Sequence, residues 1–190
     1  MDPIENCQRA VNGARALINT LTPADLATPT PCTEWDVKAL VNHMVGVCTG
    51  FTRALGGTVP APPGTASGDD DLVGNEPAAA YDRVADAVMQ AWRAPGALDR
   101  TVKLALGEMP GRQAAAILVA DQLVHTWDLA KAIGRPHGID EDLARATYEM
   151  MRQNLTPEIR QRTGAFGPEV ECPESAPIQD RLAAFAGRRP

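Results

Sequence analysis

The chain has 190 residues, a formal charge of −6 and a pI near 5.0, with 44% hydrophobic and 22% charged residues. That is the make-up of one ordinary globular domain, residues 1–190, with ample chain for a core. No basic stripe is available to neutralise nucleic-acid phosphates, and the terminal "GRRP" is too short to count as a patch. No segment reaches the roughly 20 apolar residues that span a bilayer. The start, "MDPIENCQRA", puts acids where a signal peptide carries lysines. A cytoplasmic protein with no nucleic-acid or membrane partner is expected. The four cysteines, Cys7, Cys32, Cys48 and Cys172, show no CxxC spacing and are expected as thiols. Cys7 and Cys48 fall within helical patterns and read as small core residues.

Apolar steps of three and four from Ile4 through Cys7, Val11, Ala14 and Ile18 to Leu21 predict a first helix from Pro3, capped by Asp2. The prolines and threonines of "TPADLATPTPCTEW" then turn the chain. Thr33 and Asp36 have the spacing of a capping box, which starts a second helix near Thr33 that stops at Gly56-Gly57. Its seam reads Leu40, Val47, Phe51 and Ala54, with His43 on the same side. Residues 56–76 are rich in Gly, Pro, Ser and Asp and predict a flexible loop within the domain. A third helix follows from Pro77 to Arg93, facing inward with Tyr81, Val84, Val88 and Trp92. Residues 101–111 alternate as a short strand or extended arm. A fourth helix runs from about Arg112 to Ile133, closed by Gly134 and Pro136. A fifth spans about Asp140 to Leu155, with Leu143, Ala146, Tyr148, Met150 and Met151 as its apolar positions. The proline-punctuated remainder, 156–190, ends in a short helix near Ile178 to Ala186. The expected class is all-α: a bundle of four principal helices with a short extended arm and an extra C-terminal helical segment packed on the bundle.

The fourth helix poses the functional question. "AAAILVA" (114–120) is wholly apolar, so the helix is expected to be buried, yet "DQLVHTWDLA" (121–130) carries Asp121, His125 and Asp128. Buried carboxylates and imidazoles are costly unless paired or bound to something. Asp121 and His125, four apart, share one helical face. If the second and fourth helices pack together, His43 joins them, and two imidazoles with one carboxylate suit a divalent metal such as zinc. The opposing reading is a core histidine and a structural Asp121–His125 pair. Asp128 either orients an imidazole from behind or bonds a backbone amide elsewhere. Trp127 reads as packing and His137 as a solvated turn residue. No G-x-S-x-G elbow, P-loop or G-x-G-x-x-G fingerprint is present, nor the His-x3-Cys-x2-Cys spacing of a zinc anti-sigma regulator.

"TPCTEWDVKALVNHMVG" (30–46) followed by "ADQLVHTWDLAKAIGRP" (120–136) resembles the mycothiol-dependent maleylpyruvate isomerase-like proteins of the DinB-like metal-binding superfamily. The ending "FGPEVECPESAPIQDRLAAFAGRRP" (166–190) is similar to a single-domain actinobacterial branch. The resemblance implies a DinB-like four-helix bundle whose metal is held by His43, Asp121 and His125. It implies zinc first, with nickel or iron as alternatives, and mycothiol as thiol cosubstrate. Homodimerisation follows from the same analogy. Two departures stand out. The isomerases carry Glu where Asp121 stands, and they have a further C-terminal domain. The implied activity is a thiol-dependent transferase or isomerase acting on a small electrophile, with no catalytic residue beyond the ligands assigned. The alternative is a metal- or small-molecule-binding helical module without turnover.

Overall fold

The computed structural model describes residues 2–59, 71–164 and 166–190. They form seven helices and one β-hairpin: α1 (Pro3–Ile18), α2 (Val37–Ala54), α3 (Pro77–Arg93), β1 (Thr101–Leu104), β2 (Gly107–Pro110), α4 (Gly111–Ile133), α5 (Glu141–Asn154), α6 (Pro157–Thr163) and α7 (Ile178–Phe185). This is the mostly helical class the sequence predicts, consistent with a DinB-like bundle.

The four long helices close a ring in which α1 touches α3 and α4, and α2 touches the same two. α4 also meets α5, α7 and the hairpin, so it has neighbours all round. That explains its lack of a polar face, because a helix surrounded by protein has no side on which water stabilises charge. α7 packs on α5 and α4.

Local chemistry sets the ends of the elements. Asp2 accepts a hydrogen bond from the Ile4 amide at 2.8 Å and caps α1. α1 stops at Ile18 rather than Leu21, where tighter turns from Thr20 to Leu17 and Leu21 to Ile18 replace helical bonds. α2 starts later than the Thr33 capping box predicts. Its cap is Asp36, which accepts from the Ala39 amide at 2.8 Å. The preceding residues fold back instead, with Trp35 N–H bonding to Cys32 O, Thr30 N–H to Trp35 O and Val37 N–H to Thr28 O. This fold-back brings Cys32 and Trp35 to the bundle end near His43.

The seam of α2 also differs from the predicted one. Val41, Met44 and Cys48 join Leu40 and Phe51 in the core, while Val47 and Ala54 are half-buried. The arm at 101–111 turns back at Gly107, where φ is 114°, and pairs antiparallel from Thr101↔Pro110 to Leu104↔Gly107. α4 begins at a glycine because a Cβ at Gly111 would lie 2.2 Å from the Ala97 carbonyl oxygen. It ends at Gly134, whose φ of 64° forms the left-handed cap.

Of the loop predicted over 56–76, residues 60–70 lie outside the described residues. The described flank is tied to α2: Lys38 pairs with Asp71 at 2.7 Å, and Asn42 accepts from the Leu72 amide at 2.6 Å. The helix α6, unforeseen in the proline-punctuated remainder, has its own signals in Thr156 as cap, Pro157 at the first position and Gly164 at the end.

Candidate metal centre

α2 and α4 pack side by side, and this contact brings the three predicted ligands together. His43 Nε2 lies 3.2 Å from Asp121 Oδ1, and His125 Nε2 lies 3.6 Å from the same oxygen. The two imidazole rings meet edge to face with centroids 4.8 Å apart. One ligating atom from each residue lies within 4.8 Å of the others. The site is graded in exposure: the His43 side chain is 33% exposed, Asp121 14% and His125 6%. A ligand would therefore approach along the His43 edge.

Each of the three is held from behind by a different device. Gln122 Nε2 donates to Asp121 Oδ2 at 3.1 Å, and its side-chain oxygen Oε1 accepts from the Tyr81 hydroxyl of α3. This leaves Oδ1 as the oxygen facing the histidines. The Trp35 ring stacks near His43, with centroids 4.6 Å apart, and lies 5.8 Å from the His125 ring. His125 Nδ1 lies 3.0 Å from Asp128 Oδ2, one turn further along α4.

Asp128 is fully buried. Burial pushes its carboxyl up, but hydrogen bonds from His125 and Arg188, with the Arg188 charge, outweigh that and hold it below the ordinary carboxylate range. An ionised carboxylate only accepts, so His125 Nδ1 carries the proton and donates it. His125 Nε2 then presents an electron pair toward Asp121 Oδ1, another electron-pair donor. Two acceptors facing each other need a proton or a cation between them. This donor set fits a divalent metal held by His43, Asp121 and His125, with Asp128 as the carboxylate behind the histidine.

Two residues absent from the sequence-derived site stand behind Asp128. Arg188 reaches the carboxylate through Nε, at 3.1 and 3.2 Å, and through Nη2, at 2.9 Å. Cys32 Sγ lies 3.3 Å from Asp128 Oδ2 and 2.8 Å from Arg188 Nη2. Burial and the Asp128 charge push the Cys32 thiol up to about 12 against the opposing effect of Arg188, so it stays protonated and donates to Asp128. Cys32, His125 and Asp128 also have ligand spacing, but the Arg188 guanidinium already supplies the cation there. The sequence contained one signal for this: a buried Asp128 needs a cation, and "GRRP" is where the only basic cluster lies. Weighed only as a nucleic-acid patch, the cluster was not connected with Asp128.

The other predicted roles resolve simply. Cys7 and Cys48 are buried in the core, with Cys7 pushed by burial up to about 12. Trp127 packs in the core and donates to Asp180 Oδ1 of α7 at 2.8 Å. His137 is not a solvated turn residue: it is half-buried, and its Nδ1 accepts from the Ile139 amide at 3.0 Å.

Residues 7–130 match the model of the mycothiol maleylpyruvate isomerase N-terminal domain. The chain belongs to that family. The matched stretch contains His43, Asp121, His125 and Asp128, and ends before Arg188. Two proteins of Mycobacterium tuberculosis are also similar. They are the uncharacterized protein MT0763 (strain CDC 1551 / Oshkosh) and the uncharacterized protein Rv0738 (strain ATCC 25618 / H37Rv), each 35% identical over 188 residues, 99% of this chain and 98% of the relative. No solved structure gives a significant match. None of the helices among the described residues is long and apolar enough to cross a membrane.

Proposed function

We propose that this member of the mycothiol maleylpyruvate isomerase N-terminal domain family is a divalent-metal protein that activates a low-molecular-weight thiol for transferase or isomerase chemistry on a small electrophile. His43, Asp121 and His125 are the ligands, and zinc is the expected metal ahead of nickel or iron. The observation that carries this reading is the meeting of two imidazole nitrogens on one carboxylate oxygen, at 3.2 and 3.6 Å, with His125 Nδ1 already committed to Asp128. The family supports mycothiol as the thiol.

Bound there, a divalent cation would keep about one unit of positive charge beside a single carboxylate, enough to draw the proton from a thiol or water entering an open position. Asp121 serves as a ligand in this scheme and is not also the base. The Trp35 ring lies beside both histidine rings, with centroids 4.6 and 5.8 Å away. The exposed edge of His43 is the approach for thiol and electrophile. Four free cysteines suit a reducing cytoplasm, and a homodimer is the assembly the family analogy favours.

Elemental analysis of the purified chain beside a His125→Ala variant tests the reading. Near-stoichiometric divalent metal in the native chain, lost in the variant, is the expected result. Turnover of an electrophile that requires both metal and thiol then separates an enzyme from a binding module. Metal-free native protein after reconstitution would leave Asp121 and His125 as a structural pair.

A further inference from the structure

The guanidinium of Arg188 has three partners, one of them Cys32 Sγ, which Nη2 reaches at 2.8 Å. Nη1 donates to the Ala186 carbonyl at 2.8 Å and fixes the bend after α7. Nε and Nη2 grip Asp128. The bend itself is tightly built: Gly187 has φ of 91°, and a Cβ there would lie 2.8 Å from the Gly167 Cα. Arg160 of α6 clamps the same region, donating to the Gly167 and Phe185 carbonyls with its guanidinium over the Phe185 ring. The segment after α7 thus aims one buried cation at one buried carboxylate, and that carboxylate holds one ring nitrogen of His125.

We propose that Arg188 is a positioning residue of the metal centre. Its two-nitrogen grip orients Asp128 so that His125 is held as the tautomer with the proton on Nδ1 and the electron pair on Nε2, aimed at Asp121 and His43. The inference rests on the reading of those residues as metal ligands, and it extends the centre beyond the family-matched segment into residues 131–190. A rigid planar fork is the right group for this task, because two parallel donors fix the plane of a carboxylate where a single ammonium fixes only a distance. Without the fork, the Asp128 carboxylate is free to rotate away from Nδ1. The ring can then place its proton on Nε2, which blocks the ligand position.

The test uses the full-length chain, native and as Arg188→Met and Arg188→Lys. Long-range ¹⁵N NMR reads the tautomer of His125 in the metal-free protein, and only three histidines need assignment. Titration with zinc reads affinity. The native chain is expected to show the Nδ1–H form. Arg188→Met is expected to shift His125 toward the Nε2–H form and to weaken zinc binding on the order of tenfold at unchanged stoichiometry. Arg188→Lys keeps the charge without the fork and is expected to fall between the two, and it carries the test if the methionine variant does not fold. A role confined to anchoring the segment after α7 would lower stability and move neither readout. A folded variant with native tautomer and native affinity therefore overturns the proposal. A native chain that binds no zinc overturns the metal reading and this proposal together, whereas native binding with an unaltered variant overturns this proposal alone.

Discussion

The polar side chains on the buried stretch of α4 show how a costly residue becomes tolerable. Gln122 is satisfied by Tyr81 and Asp121, Thr126 bonds back to the Gln122 carbonyl at 2.6 Å, and Asp128 is satisfied by Arg188, Cys32 and His125. With the proton on Nδ1, His125 Nε2 directs an electron pair at Asp121 Oδ1, 3.6 Å away, which makes this end of the helix the candidate metal position. His137 offers a separate test at this scale. Burial lowers its affinity for a proton, with Lys131 adding and Asp180 opposing, and its Nδ1 must stay unprotonated to accept from Ile139. The unfolded chain takes up a proton first as pH falls through about 6.5, so native stability falls from there down to the lower folded value and then levels off. Urea midpoints measured from about pH 7.5 to about pH 5.5 should drop in the native chain, and His137→Ala should remove part of the drop.

Among the elements, α2 illustrates the difference between a motif and its use. Thr33 and Asp36 fit the spacing of a capping box, yet the chain uses Asp36 alone as cap, because the fold-back over 28–36 consumes the amides a helix would have needed. Asp36→Ala is therefore expected to cost about 1 kcal/mol, while Thr33→Ala should be nearly neutral. Chemical denaturation of the two variants decides between them, and the reverse order would restore the earlier start. The ends of α3 and α4 were legible because Pro77 and Gly134 act locally, through a fixed φ and a left-handed turn. The hairpin and α6 were less so, since pairing β1 with β2 depends on Gly107 turning the chain back, and a short helix needs packing to persist.

At the scale of the whole molecule, Arg188 carries the chain after α7 back into the interior, while Arg189 and Pro190 stay exposed. Arg188 is nearly buried and neutralises a fully buried aspartate 60 residues away in sequence. Deleting residues 188–190 leaves Asp128 without its cation, and removing one partner of a buried ion pair costs about 3–5 kcal/mol. Equilibrium urea unfolding of the truncated chain should show a loss of that order; an unchanged midpoint would mean that Cys32 and His125 satisfy Asp128 unaided. The same ring of contacts that buries α4 on every side also delivers Trp127 to Asp180 of α7, so helix α4 is held at both its α2 face and its α7 face.

By itself the sequence determined the helical class and most helix ends, and it put Asp121 and His125 on one face, because periodicity, capping and i,i+4 spacing are local properties of the chain. His43 was added from its seam position and the family resemblance. The sequence also posed the right question about Asp121, His125 and Asp128. Only the tertiary structure decided which partner each buried group received. Asp128 met Arg188 and Cys32, Asp121 met Gln122 and Tyr81, and His43 came under Trp35, since these pairings join residues from separate elements and depend on how the helices pack.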